Sequence, residues 1–228
     1  MSGRRVTVAT VATVVTAAVL AIAVTGCGRT VQGTPTWPGA RLQQTLLTAA
    51  DFPKGVQYDR IAEVPGRPDG QGGPPAMLSN PKGCADGLTR LIAAGAERGP
   101  GSALKYVVAY DGARILMTVL SSRLDLAALA AEADRCAVYQ TFFDPAMRGI
   151  PVTTKKLPTP RPDALGYQQS MTLGSESISA FFAFENVGDS AVFGLAFTTP
   201  NPRISVKATL PQTFLDICAK QAQRLERR

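Results

Sequence analysis

Two stretches of alternating residues, each folded about an Asp/Gly pair, constrain this chain more than any other feature. Leu104, Tyr106, Val108 and Tyr110 alternate with Lys105, Val107 and Ala109, and Asp111-Gly112 follows. Arg114 to Ser121 then returns with Ile115, Met117 and Val119 on one side. Successive side chains of a strand point to opposite faces, and Asp-Gly supplies the positive φ that a tight hairpin turn needs. The second stretch runs from Glu176 to Val187 and from Ser190 to Thr199, around Gly188-Asp189. Ile178, Phe182 and Phe184 share one face of its first strand, and Phe193, Leu195 and Phe197 alternate along the second. Apolar residues occupy both faces, which places this hairpin centrally in its sheet.

Outside the hairpins the period changes. Arg41 to Ala50 predicts a short helix with Leu42, Leu46 and Ala49 on one side, closed by Asp51-Phe52-Pro53-Lys54-Gly55. Val56 to Val64 predicts a first strand, and Pro65 to Pro75 a loop rich in Gly and Pro. Gly70, Gly72 and Gly73 in that loop lack the Gly-Lys-Ser/Thr ending and strand–turn–helix setting of a phosphate loop. Asn80-Pro81 predicts a helix start running to about Ala96, with Asn80 as N-cap and a stripe of Cys84, Leu88, Leu91 and Ile92. Asp125 predicts a second start, to about Phe143, lined by Leu126, Leu129, Ala133, Cys136 and Gln140. Gly149 to Leu157 and Gly166 to Leu173 read as strands. Leu210 to Arg228 reads as a last helix, with Phe214, Ile217, Cys218, Gln221 and Leu225 at helical spacing. The order predicts an α+β fold, a single antiparallel sheet of about six strands with helices packed on a face.

The N-terminus reads as an address rather than as part of that fold. Arg4 and Arg5 precede an uncharged run, Val6 to Val24, which leads through Thr25 and Gly26 to Cys27. A peptidase that cuts before a lipidated cysteine needs small side chains upstream and a thiol to carry the diacylglycerol. The segment resembles a bacterial lipobox, so residues 1–26 are expected to be a lipoprotein signal peptide and Cys27 the lipidation site. The competing readings are a membrane-spanning anchor, for which the run is long enough, and a plain secretory peptide. Residues 27–40 are expected to form a flexible tether, given Gly28, Gly33, Pro35, Pro38 and Gly39, with Trp37 packed on the domain. Residues 41–228 are then a single extracytoplasmic domain held at the cell membrane through acyl chains, whose buried CH₂ groups contribute about 0.8 kcal/mol each.

Composition removes whole classes of chemistry. The chain has no histidine, which excludes Ser-His-Asp and Cys-His catalysis and His-ligated zinc or iron. Its net charge of +7 is scattered rather than blocked, so nucleic acid is not an expected partner. No cofactor and no metal are expected. Beyond Cys27, three cysteines remain, Cys84, Cys136 and Cys218, none in a Cys-x-x-Cys pair. An exported compartment permits a disulfide, and three thiols allow one internal bridge. Cys84–Cys136 is the favoured pairing, because each lies on the apolar face of a helix flanking the first hairpin. Cys84–Cys218, Cys136–Cys218 and no bridge remain open.

The lipobox, the tether and the segment Leu46-Leu47-Thr48-Ala49-Ala50-Asp51-Phe52-Pro53-Lys54-Gly55 resemble mycobacterial lipoproteins without an assigned activity. The later pattern resembles, more loosely, the extracellular sensor domain of PknH-like mycobacterial receptor kinases. That resemblance implies paired helix cysteines and a cleft in an α+β domain, and it implies no catalytic residues. It usually brings two disulfides, one more than these cysteines permit. The reading that follows is a non-enzymatic, lipid-anchored binding module of the cell envelope, capturing a lipid or glycolipid at Phe182, Phe184, Phe193 and Phe197. The alternative is an interaction or sensor-accessory domain for an envelope protein, without an internal cavity. It would use a surface groove or the Gly66–Pro75 loop, and dry packing of the Phe cluster favours it.

Overall fold

In a computed structural model, residues 38–61, 77–96 and 101–227 are described. They belong to one unit, Pro35–Arg228. The expected signal peptide, Cys27, Trp37 and the Gly66–Pro75 loop lie outside the described residues.

One antiparallel sheet organises them. Its strands are β1 (Gln57–Ile61), β2 (Leu78–Asn80), β3 (Ala103–Tyr110), β4 (Gly112–Leu120), β5 (Val138–Phe142), β6 (Ile150–Leu157), β7 (Leu165–Leu173), β8 (Glu176–Val187) and β9 (Ser190–Thr199). The order across the sheet is β1-β3-β4-β9-β8-β7-β6-β5-β2. Both predicted hairpins form, and the Phe-rich one, β8–β9, occupies the middle. Gly112 and Gly188 take φ of 94° and 56°, as turns of this kind require.

The sheet has nine strands, not about six. Of the two strands not foreseen, β5 comes from a segment expected to be helical and β2 from the residues leading into an expected helix. Pro81 disfavours the helical region for Asn80, so Asn80 is extended and pairs with Gln140 of β5. The helix, α2, therefore starts only at Gly87 and runs to Ala96. Ser79 instead closes the connecting turn, its hydroxyl accepting from the amides of Cys84 (2.8 Å) and Ala85 (3.2 Å). The helix opened by Asp125, α3 (Leu126–Arg135), ends before Phe143 for a related reason. Val138-Tyr-Gln-Thr-Phe142 is β-branched and aromatic, and it buries Tyr139 and Thr141 while exposing Val138 and Gln140. Asp125 is the N-cap of α3, accepting from Ala128 N at 2.9 Å. The first helix, α1, spans Pro38–Thr45, and Ala49–Asp51 is a single 3-10 turn. The last helix, α4, spans Gln212–Glu226.

Helices cover both faces. Leu42 of α1 and Phe214, Leu215, Ile217, Ala222 and Leu225 of α4 pack on Tyr106, Val108, Ile115, Met117, Phe181 and Val192. Leu88 and Ile92 of α2, with Leu129 and Ala133 of α3, pack on Leu120, Tyr167, Phe182, Phe184 and Phe193 of the opposite face. Each fully buried Phe or Leu contributes roughly 1.5–3 kcal/mol of transfer free energy. α4 lies close against β9. A Cβ on Gly194 would come within 2.6 Å of Cys218 Sγ and 2.7 Å of Phe214 Cε2.

Candidate functional site

The residues singled out from sequence separate into three places. Phe184 and Phe193 face each other across β8 and β9. Their rings stack at 5.3 Å between centroids and 11° between planes. Phe182 stacks on Phe184 at 6.5 Å, and Tyr167 of β7 meets Phe184 edge-tilted at 6.3 Å. All four rings are buried, with Leu88, Ile92, Leu124, Leu129 and Ala133 over them. Phe197 does not join them. It sits toward the end of β9, paired with Ala180 and Arg114, and is 43% exposed. Three of the four proposed ligand residues are thus brought together as packed rings, and the fourth faces outward.

Cys84 and Cys136 are joined, with S–S 2.04 Å and Cα–Cα 5.5 Å. The bridge ties the start of α2 to the end of α3 and packs with Tyr139 and Val152. An ion network lies over it: Glu132 Oε1 is 2.5 Å from Arg135 Nη2 and 3.4 Å from Arg90 Nη2, and Arg90 also meets Asp86 at 3.3 Å. The Arg135 hydrogen bond holds the Glu132 carboxyl below its ordinary range against a smaller opposing effect of burial. Glu132 is mostly covered but its arginine partners are well exposed, so solvent screens the network and it contributes little beyond fixing the helix pair.

Cys218 is the remaining thiol. It is buried, donates to Met117 Sδ at 3.8 Å, and burial pushes its pKa up, so no thiolate is available for nucleophilic chemistry. Its role is that of a small apolar side chain.

A charged cluster between β8 and α4 has no local signature in the sequence. Glu185 is buried on β8 and is held by Arg161, which also binds Glu226 of α4. Burial raises the Glu185 carboxyl above its ordinary range, with the Arg161 hydrogen bond opposing. Arg161 lies in a Pro-rich connection and Glu226 at the chain end, so no local spacing pointed to the trio. A second buried polar centre is Gln221. Its Oε1 accepts from Leu47 N and the Tyr106 hydroxyl, both at 3.1 Å, and its Nε2 donates to Thr45 O at 2.8 Å.

Among the described residues, no group of three or more His, Cys, Asp or Glu could hold a metal ion, and no helix is long and apolar enough to cross a membrane. No family model and no curated protein matches the chain. Similar solved structures include two from mycobacteria. An uncharacterized protein of Mycobacterium smegmatis (the Rv0999 ortholog) aligns with a TM-score of 0.50 at 13% identity, covering 83% of this chain and 95% of that one. The extracellular domain of PknH from Mycobacterium tuberculosis aligns at 0.49 and 11% identity, covering 86% of this chain and all of that one. The first likeness shows a shared fold. At such identities neither transfers chemistry.

Proposed function

We propose that this chain is an extracytoplasmic interaction or sensor-accessory domain, anchored to the cell membrane through lipid on Cys27, and that it catalyses no reaction. The observation that carries this reading is the state of the Phe cluster. Phe182, Phe184 and Phe193 are stacked on one another and roofed by two helices, which makes them core rather than the wall of a ligand site. Specificity then belongs to the surface, and the partner is an envelope protein or the membrane itself rather than an enclosed glycolipid. The Cys84–Cys136 bridge supports an oxidising compartment, where such bonds persist. The buried, protonated Cys218 and the absence of histidine support a non-catalytic role.

Native mass spectrometry of the protein purified from a mycobacterial host tests the reading. The expected spectrum carries acyl mass on Cys27 and no additional bound lipid after delipidation of the vesicle fraction. A discrete, stoichiometric lipid adduct on the folded domain would return the assignment to a lipid carrier. A Cys27→Ala chain that still incorporates labelled fatty acid would overturn the anchor.

A further inference from the structure

We propose that one end of the sheet is a docking surface for an anionic lipid bilayer. Among the described residues, eight large hydrophobic side chains are exposed. Leu78, Phe143, Met147, Leu173, Ile178 and Phe197 all lie at or beside the same end of the sheet, with exposures from 43% for Phe197 to 74% for Phe143. Ile61 sits at the other end, while Val138, opposite Thr153 in the row of Ser170 and Ser179, lies between the rows of Ile178 and Phe197.

The pairing register fixes this placement. Leu78 opposes Phe142, at the end of β5 where Phe143 follows. Thr141 of β5 opposes Ile150, so the loop carrying Met147 turns at this end. Val152 opposes Met171, which brings the Leu173 end of β7 beside it. Leu173 opposes Glu176 at the β7–β8 turn, and Ala180 opposes Phe197. The six residues therefore run across strands β2, β5, β6, β7, β8 and β9, or roughly 24 Å at the usual strand spacing. They form a row along a rim. A row of that kind meets a plane better than it encloses a small molecule.

Charge points to which plane. Arg114 stands opposite Phe197, and Arg148 follows Met147. Lys207 bridges to Asp111 at the β3–β4 turn, where Asn201 also bonds and Arg203 follows. Among the described residues, none of these four exposed cations is in an ion pair. Of the acids at this end, Asp111 accepts from Asn201 N at 3.0 Å and Asp144 from Ala146 N at 2.8 Å, while Glu176 stands exposed opposite Leu173, so the cations outnumber the solvated acids along the row. Basic side chains around an apolar row match anionic headgroups above acyl chains.

The presentation is also fixed in advance. Asp144 closes the β5–β6 loop twice, by its side chain to Ala146 N and by its carbonyl to Met147 N at 3.0 Å. Phe143 and Met147 are held outward by that turn, so little ordering remains to be done on docking. From Cys27 to Pro38 the chain extends at most ~37 Å, which gives an anchored domain room to bring its rim down.

The inference deepens the membrane-anchored reading, and the two fail separately. Intact mass reports acylation of Cys27. Hydroxyl-radical footprinting reports the rim, using the protein as purified from its host on vesicles containing 30 mol% phosphatidylglycerol, a composition chosen as roughly physiological for an anionic leaflet. The expected result is labelling at Phe143, Met147, Leu173, Ile178 and Phe197 reduced about threefold or more, with Ile61 at the far end unchanged. Added salt and the double variant Arg114→Glu, Arg148→Glu should restore labelling, while circular dichroism shows the fold intact. Equal labelling at both ends overturns the proposal. So does equal protection on neutral phosphatidylcholine vesicles. A rim protected only by added envelope protein assigns it to a protein partner instead.

Discussion

At the scale of single residues, Gly194 shows how closely the sheet and α4 approach. Its missing Cβ makes room for Cys218 Sγ and the Phe214 ring. Gly194→Ala should therefore overpack the core and cost about 1–3 kcal/mol, read as a lower urea midpoint at unchanged slope. Adding Cys218→Ala should recover part of that loss, because the closest clash is with the sulfur. Purely additive losses would mean that Gly194 matters for its backbone and not for the contact. The cysteine pair makes a different argument. Bridging positions 52 residues apart constrains the unfolded chain, and the chain-entropy estimate is about 4 kcal/mol. Replacing both Cys84 and Cys136 by Ser should lower stability by that order. An unchanged denaturation curve would show that the α2–α3 packing suffices without the bond. The cysteine pairing was the favoured one from sequence, read from apolar stripes of two helices flanking one hairpin, although Cys84 lies in the turn before α2 and Cys136 caps the end of α3.

At the scale of elements, legibility followed the strength of local periodicity. The β3–β4 and β8–β9 hairpins were readable because alternation and Asp/Gly turns point the same way. β5 was missed because Cys136 and Gln140 fit a continued helical stripe, although Val138, Tyr139, Thr141 and Phe142 all favour strand. β2 was missed because Asn80-Pro81 is also a good helix opening, and a three-residue strand carries almost no period of its own. In both cases pairing with a distant partner, which no window of sequence shows, decided the outcome. The docking of α1 on α4 was equally hidden. It runs through Gln221, which serves the backbone on both sides of Leu46 and the Tyr106 hydroxyl. Gln221→Leu would keep the volume but leave Leu47 N, Thr45 O and the Tyr106 hydroxyl unpaired inside the core. The expected loss is about 2–4 kcal/mol, with hydrogen exchange rising first over residues 42–47. Uniform loss across the domain would mean that α1 is not held chiefly by this side chain.

At the scale of the whole molecule, a charged tie joins the nine-stranded sheet to one of its two helical layers. Glu185 on central β8 connects, through Arg161, the β6–β7 connection to the end of α4. The proton balance of this tie follows from its surroundings. Burial raises the Glu185 carboxyl above its ordinary range, and the Arg161 hydrogen bond only partly opposes this. The folded state therefore holds the proton more tightly than the unfolded chain does. Its stabilising contribution is complete below the unfolded carboxyl value and is lost as pH rises through the folded value. Glu185→Gln removes this titration while keeping the shape and a hydrogen-bond acceptor for Arg161. Unfolding free energies of the two proteins, measured from about pH 4 to about pH 7, should diverge, the native protein losing stability relative to the Gln variant as pH rises. Carboxylates away from this tie contribute equally to both curves, so the difference reports the Glu185–Arg161–Glu226 tie. Parallel curves would mean that Arg161 fully compensates the buried charge, and the tie would then be pH-neutral. Divergence in the opposite sense would mean that the ion pair outweighs desolvation, leaving β8 and α4 most firmly joined at neutral pH.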